Sequence, residues 1–172
     1  MPRTRHRFIG FSFTFAIATL LLAPAPAECA LPASLAARQV GLGFDLGTGP
    51  GLSAKFYLDG RNAVQLGLGT AQDGRMDDHG RWLRGGTTLH ADYLRTLGHV
   101  VTNASVDVPW YLGVGGVLNL GGGDGVGVRV PLGVAMQYTR VPLDVFVEWA
   151  PQAWLGSGFE LARFTLRMRY WF

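Results

Sequence analysis

His90 stands in the stretch "TTLHADYL" (87–94), with Thr88 two residues before it and Asp92 two residues after. On an extended strand residues two apart share a face. A hydroxyl, an imidazole and a carboxylate therefore project together, and a carboxylate so placed can orient an imidazole for base catalysis. No serine stands in register to complete a nucleophilic site, and the competing reading is a hydrogen-bonded histidine. A second chemical set is ionic. Asp45, Asp92, Asp144 and Glu148 can face Lys55, Arg129, Arg163, Arg167 and Arg169. Inside a narrow enclosure such pairs satisfy one another, where an unpaired charge would cost several kcal/mol. The same set also suits a gate or a small-solute path. A third group, Asp77, Asp78 and His79, sits in the polar stretch 72–83, where binding of a cation or a surface partner competes with plain solvation.

Other catalytic signatures are missing. The sequence has no GxGxxG, no phosphate-binding P-loop, no GxSxG, and no zinc-type spacing among His6, His79, His90 and His99. It calls for no cofactor and no metal.

The beginning of the sequence reads as an export signal. Arg3, Arg5 and Arg7 precede the uncharged run "FIGFSFTFAIATLLL" and then "APAPA", with Ala25 and Ala27 fitting a small-residue cleavage site. The expected domains are a signal peptide over 1–27, a short N-terminal segment over 28–38 and a single β domain over 39–172. Three of the 15 Lys+Arg fall in the leader and none of the 12 Asp+Glu does, so the mature chain carries 15 − 3 = 12 basic against 12 acidic residues. Its neutrality excludes a nucleic-acid footprint. Cys29 is the only cysteine, so no internal disulfide forms. Glu28 stands where a lipid-attachment signal needs a small residue, which leaves Cys29 an ordinary thiol.

The elements that must position these groups are strands. From residue 39 the chain alternates with period two in stretches separated by turn residues, predicting eight strands near 39–47, 51–59, 62–71, 85–95, 109–120, 126–138, 142–150 and 159–172. One face is oily, as with Leu42, Phe44, Leu66, Leu68, Val128 and Val134. The other carries glycine and charge, including Gly41, Gly43, Gln65, Gly67 and every member of the ionic set. In the last strand Phe164, Leu166, Met168, Tyr170 and Phe172 oppose Arg163, Thr165, Arg167 and Arg169.

A soluble sandwich could show the same alternation, so the solvent is decided by other features. The polar face is crowded with glycine and its charges are balanced, which suits a lumen. Trp82, Tyr93, Trp110, Tyr138, Trp149, Tyr170 and Phe172 gather near strand ends as interfacial girdles do. A β structure in lipid must close, because no backbone edge can remain unpaired there. The predicted fold is therefore all-β: a closed eight-stranded antiparallel transmembrane barrel of up-and-down order, with side chains filling its interior. An even strand number puts both termini on one side, the periplasm. The turns "LDGRN" and "YTRVP" lie on that side, with a longer connection at about 96–108. Outside fall "GTGPG", the loop 72–83, the glycine loop 121–125 and the loop 151–158. Pro131 removes a ladder donor within a strand, and a bulge is expected there.

These residues resemble the small outer-membrane β-barrels of Gram-negative bacteria, similar to the transmembrane domain of OmpA. The segments "GPGLSAKFYLDGRNAVQLGLG", "LHADYL", "WYLGVGG", "VGVRVPLGVAMQY" and "PLDVFVEWAP" carry the resemblance to a family of eight-stranded outer-membrane proteins without a defined catalytic motif. The terminal "RYWF" resembles the signal read by the barrel-assembly machinery, which maps to Tyr170 and Phe172. The resemblance implies a cell-envelope protein of the outer membrane, with lipid and lipopolysaccharide around it, no nucleic acid, and an unidentified surface ligand as a further partner. The expected function is non-enzymatic, structural or surface-interacting, with a charge-paired lumen in which Asp144 and Glu148 meet Arg163 and Arg167 across the last hairpin. The alternatives are a narrow small-solute pore and a lipid A-modifying enzyme.

Overall fold

A computed structural model describes residues 39–47, 49–70, 86–121, 125–156 and 158–172. The expected signal peptide, the segment 28–38 with Cys29, the Asp77–Asp78–His79 group and Trp82 lie outside the described residues. All regular structure among the described residues is β, in eleven segments: β1 (Val40–Leu46), β2 (Pro50–Tyr57), β3 (Asn62–Thr70), β4 (Thr87–Thr102), β5 (Val106–Leu120), β6 (Val126–Arg129), β7 (Leu132–Tyr138), β8 (Leu143–Trp149), β9 (Gln152–Trp154), β10 (Gly158–Glu160) and β11 (Phe164–Trp171). Every pairing is antiparallel. β6 with β7, β8 with β9 and β10 with β11 are interrupted single strands, so eight strands run in meander order, and the β5–β7 pairing closes them into a barrel.

The stagger of the barrel follows from register alone. Paired positions lead from Val117 through His90, Gly67, Ser53, Gly43, Arg169, Asp144 and Gln137 to Asp107, back on β5. One circuit therefore advances 117 − 107 = 10 residues. With ~3.3 Å per residue and ~4.8 Å between eight strands, that shear tilts the strands by about 40° and gives a backbone radius of about 8 Å. Such a barrel holds packed side chains and no wide bore.

Three local expectations are corrected. The connection at 96–108 is not a long loop, because β4 runs on to Thr102 and β5 starts at Val106, leaving a three-residue turn. Two register shifts in β4, at Thr96/Gly98 and His99/Val101, each add a residue and break the period-two pattern. Pro131 makes no bulge. Two residues separate the paired positions on each strand across the break, from Gly115–Arg129 to Leu112–Leu132, so the register continues. The Pro131 carbonyl still accepts from Gly113 N–H at 2.7 Å, and the Pro151 carbonyl from Val130 N–H at 3.0 Å. Only the proline donors are lost. The extra residue lies instead in the last strand, where three residues (161–163) oppose two (150–151) between the β9–β10 and β8–β11 ladders. The loop expected at 151–158 accordingly shrinks to the turn between β9 and β10.

Two of the turns at the terminal end of the barrel are built by one device, a side-chain oxygen standing in for a backbone acceptor. Asp59 Oδ1 accepts from the Arg61 and Asn62 amides, both at 2.7 Å, and Oδ2 from the Asn62 side chain at 2.6 Å. Asn103 accepts likewise from Ser105 at 2.9 Å and Val106 at 2.8 Å. The Asn62 amide, foremost among these donors, holds the Asp59 carboxyl below its ordinary value of about 4. The sign follows from linkage: a folded value below the unfolded one stabilises the turn fully above about pH 4, and this is lost as pH falls through the lowered value. Asp59→Ala is expected to cost under ~1 kcal/mol at pH 7, because the turn is exposed, and less at acid pH as the carboxylate is protonated. Unfolding midpoints of both proteins at pH 7 and at acid pH check this.

Candidate functional site

The faces are inverted relative to a soluble protein. Large apolar side chains cover the outside: Phe44 is 62 % exposed, Val147 55 % and Met168 49 %. Asp92, Asp107, Asp144, Glu148, Arg129, Arg167 and Arg169 are buried within. An exposed apolar surface wrapping the whole barrel far exceeds the few hundred Å² that soluble monomers tolerate.

Glu148 is the hub of the interior. β8 turns its fully buried carboxylate into the lumen at mid-height, where four donors converge. Arg129 Nη2 reaches Oε1 at 2.6 Å and Arg167 Nη1 reaches it at 3.1 Å, while Tyr111 Oη donates to Oε2 at 3.0 Å and Gln65 Nε2 at 3.2 Å. Arg167 also sets Nε against Asp45 at 2.6 Å, and Arg129 sets Nε against Asp92 at 3.2 Å. These two Nε contacts are close ion pairs without hydrogen-bond alignment. One carboxylate thus joins two guanidiniums whose other sides meet two further acids, and the network ties β1, β4, β6, β8 and β11 together.

Each member of the predicted ionic set has a place. Asp45, Asp92, Arg129, Glu148 and Arg167 form the cluster just described. Arg169 donates to Gln65 at 3.1 Å and lies 4.0 Å from Asp144, its guanidinium 4.3 Å from the Phe146 ring centre. Lys55 sits between two rings, its Nζ 4.8 Å from the Tyr57 centroid and 5.0 Å from that of Tyr111, in cation–π geometry. Arg163 departs from expectation. It pairs with Glu160 at 3.3 Å, not with Asp144 or Glu148, because the extra residue at 161–163 swings it to the rim.

His90 shares the inner face with Thr88 and Asp92, as its spacing requires. Its Nε2 lies 3.2 Å from Arg167 Nη2 and 3.8 Å from Asp92 Oδ2. A guanidinium only donates, so Nε2 accepts from it and the ring proton sits on Nδ1. The lone pair that a general base would use is therefore occupied by Arg167. Gly67 stands directly opposite, and a Cβ there would overlap the imidazole.

Below the charges the lumen is filled by apolar and aromatic residues. Leu94, Ala63, Tyr111, Ala135 and Phe146 form the buried cluster, with Tyr57 packed on it and stacked on Trp171 at 5.1 Å between centroids. These residues share the parity of the polar face: Phe146 falls between Asp144 and Glu148, and Trp171 follows Arg167 and Arg169. Parity therefore marks them as interior, although their apolar type points outward. A second polar group missed by sequence reasoning lies at the terminal end, where Asp107 accepts from His99 at 2.9 Å and from Thr102 at 2.7 Å. The bulges in β4 bring these groups together. Tyr170 and Phe172 face outward in an edge contact with centroids 5.0 Å apart.

Above the charges, at the end away from the termini, a cavity of about 30 Å³ opens among Asp45, Thr88, His90, Arg129, Arg163, Arg167 and the glycines 47, 49, 51 and 69. It has room for a water or a few heavy atoms. Tyr111→Phe removes one donor from Glu148 without changing the packing, and is expected to cost about 1–3 kcal/mol in unfolding free energy; a denaturant titration of the refolded barrel measures it.

No family model matches the chain, and neither does any curated protein or solved structure. What the geometry defines is a closed, small, eight-stranded antiparallel β-barrel with a charged interior and an apolar exterior.

Proposed function

We propose that the chain is an integral protein of the bacterial outer membrane, a non-enzymatic barrel serving envelope structure or surface interaction, with both termini in the periplasm. The observation that carries this reading is the inversion of its faces: closed ion pairs inside, and leucine, valine, phenylalanine and methionine around the whole outer wall. Closure leaves no lipid-facing backbone edge along the wall, as a hydrocarbon environment demands. In this reading lipid and lipopolysaccharide surround the wall, the assembly machinery reads Tyr170 and Phe172, and a surface ligand would meet the loops at the far end.

The filled lower lumen supports a structural role over a pore, since Tyr57, Tyr111, Phe146 and Trp171 occupy the cross-section. The engaged lone pair of His90 supports the same role over acyl transfer. Separation of inner and outer membranes on a density gradient tests the reading. The protein should travel with lipopolysaccharide and resist alkaline extraction; recovery in the soluble fraction would overturn it. Stepwise conductance in planar bilayers that changes in Arg167→Gln would favour the pore. A lipid A mass change abolished by His90→Ala would favour the enzyme.

A further inference from the structure

The mouth cavity and the lipid-facing wall meet at one seam. Outside, a shallow apolar depression lies across the start of β11, lined by Leu46, Val147, Ala162, Phe164 and Leu166. Gly47 and Thr165 line both this depression and the polar mouth cavity, so the two spaces back onto each other there. This is also where the wall stops: the last β1–β11 pair is Leu46 with Leu166, and β10 pairs with β9 alone among the described strands. On the β1 side, among the described residues, Gly47 stands against the beginning of β11. A Cβ on Gly47 would lie 3.0 Å from the Phe164 carbonyl and 3.0 Å from Thr165 Oγ1, so any side chain would fill the seam.

We propose that this rim site binds a single-chain anionic amphiphile, a long-chain fatty acid, with its chain in the outer depression and its carboxylate over the seam on Arg163. The proposal rests on the membrane reading above, which puts the depression in lipid and the mouth in water. The anion is specified by donors. Arg129 and Arg167 spend theirs on Asp92, Asp45, Glu148 and His90, whereas among the described residues Arg163 engages only Glu160, through Nη1 at 3.3 Å. Thr88, 4 % exposed, lines the same mouth with a hydroxyl that has no hydrogen-bond partner. A guanidinium fork and a hydroxyl match a carboxylate.

The test uses the full chain refolded in an uncharged detergent and a palmitic acid carrying a photoactivatable group at mid-chain. Crosslinks should concentrate on the peptide spanning 162–168, saturate, and be competed by palmitate but not by hexadecanol or palmitoyl lysophosphatidylcholine. Arg163→Gln should reduce labelling about tenfold, the loss of one charge-assisted pair, while folding survives because Glu160 is partly exposed. Gly47→Val should block labelling independently by filling the seam. Labelling spread evenly around the barrel, competition by hexadecanol equal to that by palmitate, or full labelling of both variants would overturn the proposal. A protein that shows no heat-sensitive compact band would overturn the membrane reading and this inference with it. Even labelling of a protein that does show the band overturns the inference alone.

Discussion

Replacing Glu148 by alanine should cost the barrel about 3–5 kcal/mol, enough to prevent folding in a protein of ordinary stability. The reason is the position of Glu148 between Arg129 and Arg167, at 2.6 and 3.1 Å, in a fully buried site. Neither guanidinium can give up its charge, and neither has another acid able to take over the lost contact, since their Nε groups already face Asp92 and Asp45. The orphaned donors of Tyr111 and Gln65 add to the cost. The pairing is tested by unfolding the refolded protein in urea with Glu148→Ala, Arg167→Met and the double variant. The double variant should lose less than the sum of the single losses, because removing both charges leaves less charge unpaired. Additive losses, or a Glu148→Ala midpoint equal to that of the parent, would remove Glu148 from the centre of the network. Arg163→Gln provides the contrast: its partner Glu160 is 39 % exposed at the side chain, and the expected loss is under ~1 kcal/mol.

The second large effect concerns closure. Gly43→Ala should cost about 3 kcal/mol or more, whereas Gly67→Ala should cost about 1–3 kcal/mol. Both glycines face the lumen, and a Cβ at either site meets an atom already there. What differs is what must yield. At Gly43 the obstacle is the Met168 carbonyl with the Arg169 Cα, the backbone of β11 in the ladder that joins the first strand to the last. That backbone can retreat only by opening the barrel. At Gly67 the obstacle is the imidazole of His90, the end of a side chain that can rotate at the expense of its contact with Arg167. The yield of folded protein for the two variants under identical refolding conditions decides the matter; equal yields would mean that the β1–β11 ladder has slack.

Much of this was legible in the alternation. Residues two apart on a strand share a face, so the parity of Gly41, Gly43 and Asp45, or of Arg167 and Arg169, specified an interior before any contact was known. Strand order followed from short connections and the need to close. Three things were not legible, each for a physical reason. The first bulge in β4 reverses the parity and the second restores it, so 96–102 no longer alternated as a strand, and the extra residue at 161–163 moved Arg163 to the rim beside Glu160. The aromatic filling of the lumen was hidden because residue type and parity disagree at Phe146 and Trp171, and type alone places them in lipid. The shear of ten residues is a property of the closed ring, and no single strand carries it. Diagonal contacts such as Arg167 with Glu148 depend on the long arginine side chain reaching past its paired position, Phe146.

The central claim is that the apolar wall faces lipid and the charges face a sealed lumen. Gel mobility in detergent of the protein from purified outer membranes, with and without heating, tests it most directly. A closed barrel held by a continuous ladder and a buried ionic core should resist the detergent unheated and run as a compact band, then shift mobility once boiled. A single mobility under both conditions, from a protein found in the soluble periplasmic fraction, would contradict the account: the oily face would then be a sandwich core, and the charges now placed in the lumen would be its surface.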